Sequence, residues 1–206
     1  MSFRAELEAT AVRAGLQLGE RVLGACERHF ELLVTWNRTH NLTRIVDAAD
    51  AVKLHYLDCL MPLLAQHGPR SFVDVGSGAG FPGLLAALAW PEAEATLVEP
   101  ARKRASFLVL AAAAMGLERV RVVGPQDGAT GARVLSRATF SPGSRASLRG
   151  YAAEGGEIGV WAHPHDAATW ESELSTWQWR PLPGLDYQVP GVEARCLLRG
   201  RAAGSV

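Results

Sequence analysis

Three glycines at alternate positions, Gly76, Gly78 and Gly80, follow a short apolar run that ends in Asp74-Val75. A chain that reverses on glycines can turn tightly and bring backbone N–H groups close to a ligand, and a helix usually opens on the far side. That helix is read over 81–90, with Pro82 accommodated in its first turn. Strand, glycine turn and helix form the first unit of a sheet whose strands run parallel with helices between them.

The rest of the chain repeats the alternation. Strands are expected at 71–75, 95–99, 120–123, 133–135 and 157–161, with a last edge strand at 196–198, and helices at 101–115 and 144–153. Residues 1–66 read instead as helical. Val22, Cys26, Phe30, Leu33 and Val34 recur at steps of three and four, that helix stops near 36–37, and another runs over about 50–64. The expected fold is α/β, a mostly parallel, doubly wound sheet over 67–200 with an N-terminal helical extension over 1–66, in one domain. Residues 162–193 show no clear period.

Composition bounds the function. With 48% hydrophobic and 20% charged residues, the 206-residue chain can bury one core. Its formal net charge is zero, so any grip on nucleic acid has to be local or shared with a partner. No apolar run approaches the roughly 20 residues that span a bilayer. Arg4, Glu6 and Glu8 break up the start, so neither membrane insertion nor a secretory leader is expected. Cys26, Cys59 and Cys196 are odd in number and far apart, which suits reduced thiols in the cytoplasm and neither a disulfide framework nor a zinc site.

Two acids give the glycine turn its chemistry. Asp74 precedes the first glycine, and Glu99 ends the next strand, where a ribose-binding acid belongs in nucleotide sites. Together they point to a nucleoside cofactor. Adenosylmethionine has the ribose without a pyrophosphate, and Asp74 is placed to accept from its ammonium group. A nicotinamide dinucleotide fits less well, since Gly83 comes too late for the usual third glycine. The plain alternatives are a helix-capping Asp74 and a solvated Glu99. Asp127 could accept from an adenine amino group with Gln126 along the ring, or be a turn aspartate. His163-Pro164-His165 lacks a third ligand nearby and reads as a loop, so no metal is expected. Trp170, Trp177 and Trp179 read as packing under the C-terminal edge.

Four segments carry a family resemblance. They are Trp36-Asn37-Arg38-Thr39-His40-Asn41-Leu42-Thr43, His55-Tyr56-Leu57-Asp58, Asp74-Val75-Gly76-Ser77-Gly78-Ala79-Gly80-Phe81-Pro82-Gly83, and Ser136-Arg137-Ala138. Their order and spacing resemble the small-subunit ribosomal RNA methyltransferase G family, also called glucose-inhibited division protein B, from about residue 20 to about 140. The resemblance implies a Rossmann-like class I methyltransferase that uses S-adenosyl-L-methionine. It implies methylation of guanine N7 in 16S ribosomal RNA, naked or in the small-subunit particle, by a cytoplasmic monomer. By position the family's cofactor contacts fall on Gly76, Phe81, Gln126, Asp127 and Arg137, with Gly78 and Gly80 in the same turn. Asn41 and His55 match motif positions near the site, and Arg137 is the candidate for the side where cofactor and guanine meet. Without the resemblance, Asn41 reads as a helix cap and His55 as a partner of Asp58.

The implied chemistry needs no base, because guanine N7 already carries a free lone pair; alignment and a dry site suffice. The chain also departs from the family. Pro125 stands where the family has an arginine two residues before the adenine-side acid, and Ala132 where it has an aspartate. Ala162-His163 replaces a lysine-glycine pair, and Cys196 replaces the histidine that follows Arg195.

Overall fold

The computed structural model describes residues 1–137, 142–176 and 179–202. Helices α1 (Phe3–Arg13) and α2 (Glu20–His40) precede α3, which starts as an α-turn (Ala48–Ala51), widens into π turns (Val52–Leu57) and returns to α geometry (Asp58–Leu64). Next come β1 (Ser71–Val75), α4 (Gly83–Ala89), β2 (Glu94–Val98), α5 (Arg102–Met115) and β3 (Val120–Val123). The chain continues through β4 (Gly131–Arg137), β5 (Ala152–Ala162), α6 (Ala167–Thr176), β6 (Trp179–Tyr187) and β7 (Arg195–Ala202). The strand order is β3-β2-β1-β4-β5-β7-β6; the first five are parallel, and β7 runs antiparallel to both its neighbours. The order reverses between β1 and β4, which opens a crevice beyond the carboxyl ends of those two strands.

A central parallel strand is covered on both faces, so its residues are buried whichever way they point. Accordingly Phe72, Val73, Asp74 and Val75 of β1 are all buried, Phe72 in one core and Val73 and Val75 in the other. The Phe72 side is the larger core and takes in Leu7, Leu33, Tyr56, Leu85 and Phe107 from α1 through α5. The opposite side is closed by 3-10 turns over Pro142–Tyr151 and by α6, through Leu148, Trp170 and Leu174.

Several elements differ from the expectation. α2 runs on to His40 and stops at Asn41, whose left-handed φ of 47° ends it. The stretch expected to be helical at 144–153 is a run of 3-10 turns, and β5 begins at Ala152. The strand holding 196–198 is not the edge: β7 lies between β5 and β6, and the edge is Trp179–Tyr187. Pro181 and Pro183 hide β6 in the sequence, and an edge strand is where prolines are tolerated. Of the C-terminal tryptophans, Trp170 and Trp179 are buried in the second core, and Trp177 lies outside the described residues.

Two local devices matter for the site. Pro62 sits inside α3 and has no N–H for the carbonyl of Asp58 four residues earlier. That carbonyl instead accepts the indole N–H of Trp161 from β5 at 2.9 Å. At the other end of the sheet, Glu157 of β5 takes Arg133 of β4 and Arg199 and Arg201 of β7, at 2.9, 3.4 and 2.6 Å, which pins three strands in register.

Gly83 opens α4 directly above β1, and a Cβ there would collide with Asp74 Oδ2 and Leu97 Cδ2. Gly83→Ala should therefore destabilise the protein by about 1–3 kcal/mol or more, measured by urea denaturation against Gly150→Ala, an exposed glycine with open space around it and no left-handed backbone. Equal stability of the two variants would contradict the packing described.

Candidate functional site

The glycine turn is seated from three directions. From below, the Asp74 carboxylate, 1% exposed, accepts the Gly83 N–H at 3.1 Å and so caps the start of α4. From β2, Glu99 Oε2 accepts the Gly78 N–H at 2.9 Å, while its Oε1 accepts the Ala101 N–H at 2.9 Å. From α2, fully buried His29 reaches the Ala79 carbonyl at 3.0 Å and the Tyr56 hydroxyl at 2.6 Å. The carbonyl can only accept, so Nε2 carries the proton and Nδ1 accepts from the tyrosine. Burial lowers the His29 pKa to about 4, which keeps the ring neutral.

Above the turn lies a cavity of about 640 Å³. Its wall includes Gly76, Gly78 and Glu99 from the glycine turn and the end of β2, the cluster of Phe81, His55 and Arg137, and Leu42, Thr43 and Pro125. The structure does not bring Asp74, Gly80, Gln126, Asp127 or Asn41 to that wall. Asp74 points under the turn, and a Cβ on Gly80 would meet Leu84. Asp127 accepts the Gly124 N–H at 2.7 Å, and both it and Gln126 are exposed. Asn41 is exposed at the helix end.

Residues that the sequence offered only as members of motifs complete the picture, and His55 is linked to Asp58 through Arg137. Asn37 clamps Thr43 with two hydrogen bonds, 3.0 and 2.9 Å, and so holds Leu42 and Thr43 at the cavity. Asp58 is a hub: its Oδ2 accepts Arg137 Nη1 at 3.0 Å and its Oδ1 accepts the Tyr187 hydroxyl at 2.8 Å. Arg137 Nη2 donates to His55 Nδ1 at 2.7 Å, which leaves the proton of His55 on Nε2, directed to Thr43 Oγ1 at 3.0 Å. Burial, and next the Arg137 charge, lower the His55 pKa to about 3. The His55 ring stacks on Phe81 at 4.6 Å, and the Arg137 guanidinium lies over the same phenyl ring at 5.5 Å. Neither histidine titrates near neutral pH. Among the described residues no group of histidines, cysteines and acids could hold a metal ion, and no helix is long and apolar enough to cross a membrane.

Chemically, the cavity offers a buried carboxylate beside a glycine turn at one end and a fixed guanidinium at the other. The first suits a ribose diol, since each Glu99 oxygen has a lone pair beyond the one already used. A volume of this size fits a nucleoside-sized ligand.

Comparison with known proteins agrees with that geometry. A model of the family described as rRNA small subunit methyltransferase G matches residues 23–137. A ribosomal RNA small subunit methyltransferase G of Nitrosomonas europaea is 47% identical over 95 residues, 46% of this chain and 44% of that protein. The protein of the same name from Solibacter usitatus is 40% identical over 122 residues, 59% of this chain and 58% of that one. The chain thus spans about half the length of the curated relatives it matches. A solved 16S rRNA (adenine(1408)-N(1))-methyltransferase from Catenulisporales acidiphilia, a variant determined with its cosubstrate SAM, superposes with a TM-score of 0.53 at 19% identity, covering 71% of this chain and 91% of that one. At that identity the likeness establishes the fold, the Rossmann-like one of class I methyltransferases.

Burial raises the Asp74 pKa from 3.8 to about 7. A carboxyl whose pKa is raised by folding stabilises the protein fully below its unfolded value and loses that contribution as pH climbs to the folded value. Between pH 3.8 and about 7, wild type should therefore lose stability relative to Asp74→Asn, by roughly 1–4 kcal/mol in total. Urea denaturation of both proteins across pH 4–8 checks this, and parallel stability curves would overturn it.

Proposed function

The chain belongs to the rRNA small subunit methyltransferase G family, and from that premise we propose that it transfers a methyl group from S-adenosylmethionine to guanine N7 of 16S rRNA. The observation that carries this reading is one cavity walled by the glycine turn and Glu99 at one end and by Arg137 and His55 at the other. S-adenosylmethionine supplies an electrophilic methyl on a sulfonium, in a group that includes a ribose. Of the residues lining the cavity, Glu99 would accept from the ribose hydroxyls, Gly76 and Gly78 would let the backbone approach, and Phe81 would close the apolar side. Arg137, its plane held by Asp58 and His55, would mark the meeting point of the two reactants.

No residue of the cavity has to remove a proton. His55 stays neutral and accepts from Arg137, so it orients and does not act as a base. In this reading the enzyme is cytoplasmic and monomeric, and the substrate is 16S rRNA, naked or within the small-subunit particle.

The test combines binding with turnover. Calorimetry should give micromolar affinity for S-adenosylhomocysteine and none for NAD, and Gly76→Val should abolish that binding, because φ at Gly76 is +77°. Labelled methyl should pass to small-subunit particles or 16S rRNA from a strain lacking the modification. Arg137→Ala should lower that transfer about a hundredfold or more, with little rescue by lysine. The rate at saturating RNA should show no acid limb between about pH 6 and 8. Tight NAD binding, or full activity of Arg137→Ala, would overturn the reading. Bound cofactor without transfer to any RNA would favour a diverged methyltransferase on another substrate or a binding module without turnover.

A further inference from the structure

A second cavity, about 340 Å³, begins where the first ends, because His55 and Arg137 line both. Its far wall holds Trp161, His163 and Arg195. These come from the end of β5, the residue just after it, and the first residue of β7. Since β7 runs antiparallel to β5, its start reaches the same carboxyl edge at which β4 ends in Arg137. On the reading of function above, we propose that this cavity takes the guanine base and that Arg195 reads its O6.

The chemistry of the base narrows how it can be held. Arginine usually grips guanine at O6 and N7 together. A guanine about to be methylated at N7 must keep that lone pair free, so a donor to O6 alone is what remains. Arg195 provides one. Its Nη1 rests against the His163 ring at 2.6 Å, but its Nε is buried and meets no acceptor. The nearest carboxylate oxygen, Asp58 Oδ1, lies 3.7 Å away, beyond hydrogen-bond reach. A guanidinium with a donor still unsatisfied gains from an acceptor placed against it, and Arg195 lines the cavity where such a ligand would sit. Guanine O6 is such an acceptor. Adenine presents an amino donor at the same position and would set donor against donor.

The other walls fit a flat base. Trp161 is 7% exposed, and its indole N–H is tied to the Asp58 carbonyl, so the ring is a fixed apolar surface of the kind that unstacked bases pack against. Asp58, held by the Tyr187 hydroxyl, keeps Arg137 as the partition between the two cavities. His163 thereby has a use that needs no metal: it braces Arg195.

The test is a cycle between protein and RNA. Arg195→Ala should keep its affinity for S-adenosylhomocysteine within about twofold and its melting temperature close to wild type. Methyl transfer to 16S rRNA should fall roughly tenfold to a hundredfold. Wild type should lose a similar factor on RNA carrying 2-aminopurine, which lacks O6, at the guanosine it methylates, and little on RNA carrying inosine, which keeps O6. The two losses should not add when Arg195→Ala meets 2-aminopurine RNA. The salt dependence of KM should be unchanged, whereas loss of a phosphate contact would flatten its slope by about one. Additive losses, a flattened slope or full activity of Arg195→Ala would overturn the base site while leaving the methyltransferase reading intact. Wild-type protein that binds S-adenosylhomocysteine yet methylates no unaltered RNA would overturn both. The wild-type arm on altered RNA decides the question even where the variant folds poorly.

Discussion

A carboxylate shut away from water, that of Asp74 on the N–H of Gly83, fixes where the glycine turn leaves β1 and where α4 begins. The contact is close enough that the helix must open on a residue without a side chain. Once the turn is set at that height, His29 and Glu99 can reach its other peptide groups from α2 and β2. Three parts of the chain, distant in sequence, therefore agree on one backbone path. Inside a low-dielectric interior each of these bonds is strong when made and costly when one partner is missing, so the turn has a single arrangement.

Beyond the turn the site is organised around one charge. Arg137 is surrounded by Asp58, His55 and the Leu54 carbonyl. Burial, and next the guanidinium, keep His55 from gaining a proton and so remove this imidazole from acid–base chemistry near neutrality. The π turns of α3 put His55 and Asp58 on one side, towards Arg137, while Tyr56 goes into the core and meets His29. A single short segment thus serves both the arginine and the glycine turn.

Much of this was legible in the sequence where the signal is local. The first three strands and their helices follow from periodicity, and Gly76, Glu99 and Arg137 stand out because each ends a strand or opens a turn at the sheet's carboxyl edge. The direction of Asp74 was legible only as one of two alternatives, the helix cap that the structure shows, because a strand buried on both faces has no polar side to orient against. Asn41 drew attention as part of a motif, yet the residue that shapes the loop is Asn37, four positions earlier, whose partner is known only once the helix has ended. Gln126 and Asp127 sit after Pro125 in a tight 3-10 turn that points them to solvent. His29 reads as one residue on an apolar helix face until its carbonyl partner arrives from 50 residues away. The edge strand β6 was hidden by its own prolines, and Tyr187 went unnoticed with it.

The place of β7 has a consequence for the order in which the protein comes into being. The slot between β5 and β6 belongs to the strand that is made after both. Asp58 waits for Tyr187 across 129 residues, on the order of ten seconds at the roughly 5–20 residues per second of translation. During that time the nascent chain already holds the glycine turn and Glu99, while β5 presents an open edge with no neighbour on that side. When β7 leaves the ribosome it closes that edge, and with it delivers Arg195 to the cavity.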